Sequence, residues 1–167
     1  MIQVPKGKAG KGEVSLKVED VMTTEVITID ENATVKEAAD VMDQNEISCL
    51  IAVRKGKAIG IITERDLLKR VIVDDKNTKK TKVGEVMSSP LEVVAFGTNL
   101  EKAVRLMFEK KIKKLLVVDK DNLLGLVSLT DIARCQPAII TLLKSIAAAQ
   151  AQDMPKSMKK VLNHYIV

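Results

Sequence analysis

A hydroxyl side chain followed three residues later by an aspartate occurs twice in this 167-residue sequence. Thr63 and Asp66 stand in the phrase GIITERDL, and Ser128 and Asp131 stand in GLVSLTDI, 65 positions later. Each phrase links an apolar strand-like run to a helix-like segment, where free backbone N–H groups and the helix dipole favour a phosphate. The carboxylate can accept hydrogen bonds from a ribose diol. The pairs therefore suit a nucleotide site, and the structural alternative is a simple helix cap.

Catalytic chemistry of other kinds has little support in the sequence. The one histidine, His164, lies near the C-terminus, and Cys49 and Cys135 are far apart. These residues therefore indicate no Ser-His or Cys-His arrangement and no zinc ligand set. The glycines and lysines of PKGKAGKGE lack the spacing of a Walker A loop. We expect no enzyme, no metal and no cofactor apart from a regulatory ligand.

Composition and charge restrict the class of protein further. Hydrophobic residues make up 46% of the sequence, which argues against a disordered chain. We expect no membrane span, no secretory signal and a cytoplasmic protein, because apolar runs are short and the two cysteines are isolated. The net charge of +5 leaves a nucleic-acid partner open, whereas only 2% aromatic residues argue against base stacking with single strands.

The sequence contains an internal repeat. A shift of 65 positions places residues 18–70 over residues 83–135 without a gap. Apolar positions match nearly throughout, and a gapless match of this length indicates a duplicated structural unit.

Each copy predicts the same order of elements. Strands VITI (26–29) and LEVV (91–94) precede helices that begin at Thr34, in a capping box with Glu37, and at Asn99. An apolar run, a turn and a second strand follow, and the phrase with the aspartate leads into a final helix. The predicted fold class is therefore α+β, with the order β-α-β-β-α in each unit.

The predicted boundaries follow from this pattern. We expect a flexible basic arm at 1–14, a first domain at 15–73, a polar linker at 74–82 and a second domain at 83–136. Residues 137–167 do not repeat, and their apolar spacing predicts a tail of two amphipathic helices.

Each copy resembles a CBS domain, and the pair resembles a Bateman module, as in the γ subunit of AMP-activated protein kinase and in IMP dehydrogenase. The resemblance rests on VEDVMTTEVITI, ISCLIAV and GIITERDL in the first copy, and on VGEVMSSPLEVV, IKKLLVVD and GLVSLTDI in the second. It implies two units packed sheet to sheet about a pseudo-two-fold axis. It also implies two clefts that bind AMP, ADP, ATP or an S-adenosyl compound.

The resemblance assigns residues to each cleft. The aspartates would hold ribose hydroxyls, the hydroxyl residues would line the clefts, a basic pair would meet phosphate, and segments from the opposite unit would cover the base and sugar. The Asp131 cleft would comprise Thr24, Glu25, Val26, Lys113, Lys114, Ser128, Thr130 and Asp131. The Asp66 cleft would comprise Thr63, Arg65, Asp66, Ser89, Pro90 and Leu91, with Glu64 as an acid that Arg65 offsets. We therefore expect the Asp131 cleft to bind more tightly.

The predicted function is that of a regulatory module, sensing energy state or a metabolite through an adenosine compound, without catalytic activity. The output would pass to an effector protein that the sequence does not identify. We expect a homodimer, a flat disc of four domains, because the final helix of the first copy carries Leu67, Leu68, Val71 and Ile72 on more than one side. The alternative is a basic scaffold or nucleic-acid-binding protein whose repeats are structural and hold no ligand.

Overall fold

The computed structural model describes residues 16–120 and 122–135, together with residues 141, 145 and 148. The predicted arm at 1–14 lies outside the described residues, as does the predicted tail at 137–167 apart from those three residues. In the part of the chain that is described, no helix is both long and apolar enough to cross a membrane.

Two three-stranded units form, each in the order β-α-β-β-α, which confirms the predicted α+β class. The first unit consists of β1 (Thr28–Asp30), α1 (Val35–Gln44), β2 (Cys49–Arg54), β3 (Lys57–Thr63) and α2 (Glu64–Leu67), which continues as a π-helical turn over Leu68–Ile72. A short helix, α3 (Val83–Val86), precedes the second unit, and a 3₁₀ turn (Val18–Asp20) precedes the first. The second unit consists of β4 (Val93–Ala95), α4 (Leu100–Glu109), β5 (Lys114–Asp119), β6 (Asn122–Ser128) and α5 (Leu129–Cys135).

Both sheets have the same topology. β1 pairs parallel with β2, and β2 pairs antiparallel with β3; β4, β5 and β6 repeat this arrangement. The antiparallel register shifts at Ala52/Val53 and, in the second sheet, at the equivalent step Val117/Val118. The duplication therefore extends to an irregularity in strand pairing.

The two caps predicted from sequence are present. The Thr34 hydroxyl accepts the Glu37 N–H at 3.2 Å, and the Glu37 carboxylate accepts the Thr34 N–H at 2.6 Å, so the capping box is complete. The Asn99 side chain accepts the Glu101 N–H at 2.7 Å. These caps fix where α1 and α4 begin, because each satisfies an N–H that the helix itself cannot.

The segments that precede β1 and β4 are exchanged between the units. Val18 is completely buried in the core of the second unit, whereas Val83 and Val86 are buried in the core of the first. Thr23 exchanges backbone hydrogen bonds of 2.8 and 2.9 Å with Leu126, and Ser88 does the same with Ile61 at 2.8 and 3.0 Å. The two units therefore complete each other's cores reciprocally, in the manner of an approximate two-fold axis.

The first strand of each unit begins two residues later than predicted. Ladder pairing starts at Thr28 with Ile51 in the first unit and at Val93 with Leu116 in the second. The reason is the exchange, because Thr23 pairs with the second unit while Thr28 pairs with the first. Residues 24–27 must span the gap between them.

The segment 74–82, predicted as a linker, docks on the first unit. The carbonyls of Thr81 and Thr78 accept the N–H groups of Val35 and Lys36 at 2.9 and 3.1 Å, and Thr81 is buried. These bonds satisfy two of the N–H groups that α1 leaves unpaired at its start.

A glycine lies under each exchanged segment. A Cβ placed on Gly125 would stand 2.6 Å from the Thr23 carbonyl oxygen and 3.0 Å from the Met22 sulfur. A Cβ on Gly60 would contact the Met87 sulfur first and the Ser88 carbonyl oxygen at 3.0 Å. Close approach of the exchanged backbone therefore requires glycine on β3 and β6.

We predict that Gly125→Ala lowers the free energy of unfolding by ~1–3 kcal/mol, because a methyl group there overlaps a backbone oxygen. Gly60→Ala is the matched control and should cost less, because its nearest neighbour is the end of a flexible methionine side chain. Urea unfolding followed by circular dichroism measures both. Equal stability of Gly125→Ala and the unmutated protein would contradict the close packing described above.

Candidate functional site

A cleft of about 460 Å³ lies between the two units, within the range typical of small-molecule sites. Both units and one exchanged segment contribute to its walls. The lining residues are Thr23, Glu25, Val26, Ile27, Glu46, Ile47, Ser48, Cys49, Ile51, Glu64, Lys114, Leu126, Ser128, Thr130, Asp131 and Arg134.

The cleft gathers six of the eight residues that the sequence assigned to the Asp131 side: Glu25, Val26, Lys114, Ser128, Thr130 and Asp131. Thr24 does not line the cleft and Thr23 lines it instead, because the backbone of Thr23 is the one paired with Leu126. Lys113 is half-buried outside the lining, and its carbonyl accepts the Leu129 N–H at 2.8 Å.

The Ser128–Asp131 pair caps α5 and still leaves a carboxylate oxygen available. The buried Ser128 hydroxyl accepts the Asp131 N–H at 3.1 Å and donates to Oδ2 of Asp131. Oδ1 of Asp131 accepts no hydrogen bond from another residue of the described chain. Ser128 and Asp131 therefore form the helix cap that the sequence offered as the structural alternative. This cap uses only one of the two carboxylate oxygens of Asp131.

The Thr63–Asp66 pair caps α2 in the same way but leaves fewer acceptor positions of its carboxylate without a partner. Oδ2 of Asp66 accepts the Thr63 hydroxyl at 2.7 Å and the Thr63 N–H at 3.0 Å. Oδ1 lies 3.4 Å from the Ser88 hydroxyl and 3.5 Å from Nη1 of Arg70. Both oxygens of Asp66 therefore have partners within the chain.

The other residues assigned to the Asp66 side form no hydrogen bond or ion pair with Asp66 in the described part of the chain. Arg65 and Pro90 are exposed and Leu91 is half-buried. Ser89 donates to the Ile59 carbonyl at 2.9 Å, and Ser88, one residue earlier, approaches Asp66 instead. Glu64, which we expected to act on the Asp66 side, lines the Asp131 cleft.

The cleft is acidic. Four of its lining side chains are carboxylates and two are basic, although the chain as a whole carries +5. Within the described chain, Glu25, Glu46 and Glu64 form no ion pair, while Nζ of Lys114 donates to the Ser48 hydroxyl at 3.2 Å across the cleft. The local charge is therefore opposite in sign to the net charge.

The Cys49 thiol lies in this wall in its protonated form. Burial raises the pKa of Cys49; Lys114 works against this rise, whereas Glu64 and Asp131 add to it. Because a thiolate is the reactive form, the raised pKa makes Cys49 a weak nucleophile near neutral pH.

Some of the lining residues that the sequence analysis did not predict have a signal in the sequence, and others have none. Ser48 and Cys49 are the repeat equivalents of Lys113 and Lys114, and an approximate two-fold axis brings equivalent positions near it together. Arg134 follows Asp131 by three residues and so shares its face of α5. For Glu46, which follows α1, the sequence holds no comparable signal.

A family model described as CBS domain matches residues 18–73 and 83–137, which is more than half of the chain. The chain belongs to the CBS domain family. Its two matched segments correspond to the two units of the structure, so the chain is a CBS domain pair.

Relatives and solved structures agree with this assignment. The chain is 38% identical over 116 residues to the CBS domain-containing protein YhcV of Bacillus subtilis, covering 70% of this chain and 82% of YhcV. It is 36% identical to inosine-5′-monophosphate dehydrogenase of Methanocaldococcus jannaschii, covering 71% of this chain but only 23% of that enzyme. The CBS domain pair of protein MJ0100, solved with 5′-methylthioadenosine and S-adenosyl-L-methionine, is 25% identical with a TM-score of 0.67, covering 75% of this chain and 98% of that one.

We predict that iodoacetamide modifies Cys135 before Cys49 at about pH 7, because burial raises the pKa of Cys49 and so lowers its thiolate fraction. As pH rises toward the raised pKa, the thiolate fraction and the rate at Cys49 should increase. Mass spectrometry of tryptic peptides measures both rates, and Cys49→Ser identifies the slower site. Modification of Cys49 as fast as the exposed Cys135 at neutral pH would contradict its placement in the wall of the cleft.

Proposed function

We propose that this CBS domain pair is a non-catalytic regulatory module that binds one adenosine compound in the Asp131 cleft. The observation that carries the proposal is the available Oδ1 of Asp131, which faces no internal partner within the described chain and belongs to a cleft built by both units. The complex of the MJ0100 pair with two adenosine compounds supports it by analogy. Both cysteines are free thiols, in keeping with the cytoplasmic location that we propose.

The lining supplies groups for each part of such a ligand. Asp131 would accept hydrogen bonds from the ribose hydroxyls, and Thr130 adds a hydroxyl beside it. Apolar side chains would contact the base, and Lys114 and Arg134 would meet an anionic group. The apolar lining residues are Val26, Ile27, Ile47, Ile51 and Leu126.

The charge of the cleft favours ligands with few phosphates. Like charges repel, so the surplus carboxylates oppose each added phosphate, and the exposure of Glu25, Glu46 and Glu64 reduces this repulsion through solvent and salt. Four carboxylates face two basic groups here. We therefore rank S-adenosylmethionine, whose sulfonium and ammonium are cationic, and neutral 5′-methylthioadenosine above AMP, and AMP above ATP.

Ligand binding would change the arrangement of two chains in a dimer, and an effector protein would respond to that arrangement. Leu68, Ile72 and Val73 are 57, 62 and 72% exposed beside the buried Val71, so the predicted second apolar side of this helix faces outward. An apolar patch of this kind fits a self-complementary contact with a second copy.

A nucleic-acid-binding scaffold remains the alternative, and one observation favours it. Four exposed lysines, Lys76, Lys79, Lys80 and Lys82, stand within the docked segment 74–82. This function requires affinity for DNA or RNA that falls steeply with salt, and no stabilisation by adenosine compounds.

We predict that a preferred adenosine compound raises the melting temperature, and that Asp131→Ala weakens its binding at least tenfold. Ligand at 100 times its Kd stabilises the native state by about 2.7 kcal/mol, and a hydrogen bond to a charged group contributes roughly 1.5–3 kcal/mol. Asp66→Ala is the matched control, because it removes the equivalent carboxylate of the other copy. Thermal-shift assays followed by calorimetric titration measure both effects.

No stabilisation by any of the four compounds at millimolar concentration would contradict ligand binding. Loss of the tighter binding event in Asp66→Ala, with Asp131→Ala unaffected, would place the site in the other cleft. Preference for ATP over S-adenosylmethionine would refute the ranking by charge and leave the site itself in place.

We predict a homodimer in multi-angle light scattering above micromolar concentration, and a monomer for Ile72→Lys, because a charge in the apolar patch cannot be desolvated without a partner. Phe96→Lys is the control, since Phe96 is a 52% exposed apolar residue of the second unit and does not belong to the patch. A monomeric mass for the unmutated protein, or a dimer unaffected by Ile72→Lys, would contradict this contact.

A further inference from the structure

We propose that Arg70 closes the Asp66 carboxylate to ligands from within the chain and so limits each chain to one bound adenosine compound. The inference deepens the proposed function and rests on it, because it takes ligand binding through Asp131 as given. Arg70 would then determine stoichiometry without contacting the ligand.

The Arg70 guanidinium lies between Asp66 and the exchanged segment that precedes β4. Its Nη1 lies 3.5 Å from Oδ1 of Asp66, one helical turn earlier. The same nitrogen donates to the carbonyls of Val86 and Met87 at 2.6 and 2.8 Å. Arg70 is 44% exposed, yet these two short bonds to the exchanged segment hold its head group in place.

Both carboxylate oxygens of Asp66 are already in contact with groups of the chain. Its side chain is only 13% exposed, its Oδ2 is taken by the Thr63 cap, and its Oδ1 faces both Arg70 and the Ser88 hydroxyl. A ribose hydroxyl would compete with Arg70 and the Ser88 hydroxyl for Oδ1, and it brings no charge to replace that of the guanidinium. The geometry that leaves an oxygen available at Asp131 is thus absent at Asp66.

The second copy of the repeat has no arginine at the position equivalent to Arg70. The equivalent of Arg70 is Cys135, an exposed free thiol, and the equivalents of Val86 and Met87 are Val21 and Met22. The caps by Thr63 and Ser128 match, and so do the bridges made by Ser88 and Thr23. The two aspartates therefore share their helix cap, and Arg70 together with the Ser88 hydroxyl distinguishes Asp66 from Asp131.

A reciprocal exchange of these two residues tests the inference in the full chain. Isothermal titration with S-adenosylmethionine, 5′-methylthioadenosine and AMP should give one site per chain for the unmutated protein and two for Arg70→Cys. Cys135→Arg should weaken binding at least tenfold, because the new guanidinium pairs with Asp131 at the same i, i+4 spacing. Arg70→Lys keeps a cation at this position and should retain one site.

Two further measurements identify the new site and show whether each variant is folded. Adding Asp66→Ala to Arg70→Cys should return the stoichiometry to one, which identifies the new site. Urea unfolding of each variant shows whether it is folded, and Cys135→Arg tests the inference without removing the bonds that Arg70 makes to Val86 and Met87.

The results separate the two claims. Failure of the unmutated protein to bind any of the three compounds overturns the proposed function and this inference with it. One site per chain in both the unmutated protein and folded Arg70→Cys, or full affinity in folded Cys135→Arg, overturns the role of Arg70 and leaves the proposed function intact. Two sites in the unmutated protein overturn the role of Arg70 and the stoichiometry of one, and leave adenosine binding itself in place.

Discussion

The architecture depends on the backbone pairing of each exchanged segment with the opposite unit. Thr23 bonds to Leu126 and Ser88 bonds to Ile61, and each contact runs across a glycine that leaves no room for a side chain. Val18 and Val83 then enter cores to which their own sequence repeats do not belong. Neither unit therefore has a complete core alone. The chain crosses from one unit to the other twice, and these two crossings fix the space between the units.

This constraint explains why the cleft combines residues that lie far apart in sequence. The crossing residues 25–27 supply one wall, β6 and α5 supply another, and Ser48 meets Lys114 across the cleft. A bound molecule would therefore touch both units at once. Binding energy at such a site acts on the relative position of the units, which is the property that a regulatory module needs.

Much of the fold could be predicted from the sequence, because it depends on local patterns that occur twice. The caps at Thr34 and Asn99, the order of strands and the cleft aspartate all follow from spacing and residue type. The exchange could not be predicted, since an apolar residue such as Val18 fits either core. This also explains why the cleft contains Thr23 rather than Thr24. The placement of Glu46 and Glu64 in the cleft depends on how the two units pack, which residue type and spacing do not reveal.

The exchanged segments also set an order for folding during synthesis. The core of the first unit requires residues 83–88, and the core of the second requires Val18, which leaves the ribosome long before its partners on α4, β6 and α5. At about 5–20 residues per second, the synthesis of residues 89–135 takes roughly 2–9 seconds. Until that interval ends, the core that buries Val18 and its apolar neighbours is incomplete. Val18 therefore remains without its complete core for the time that synthesis of this stretch requires.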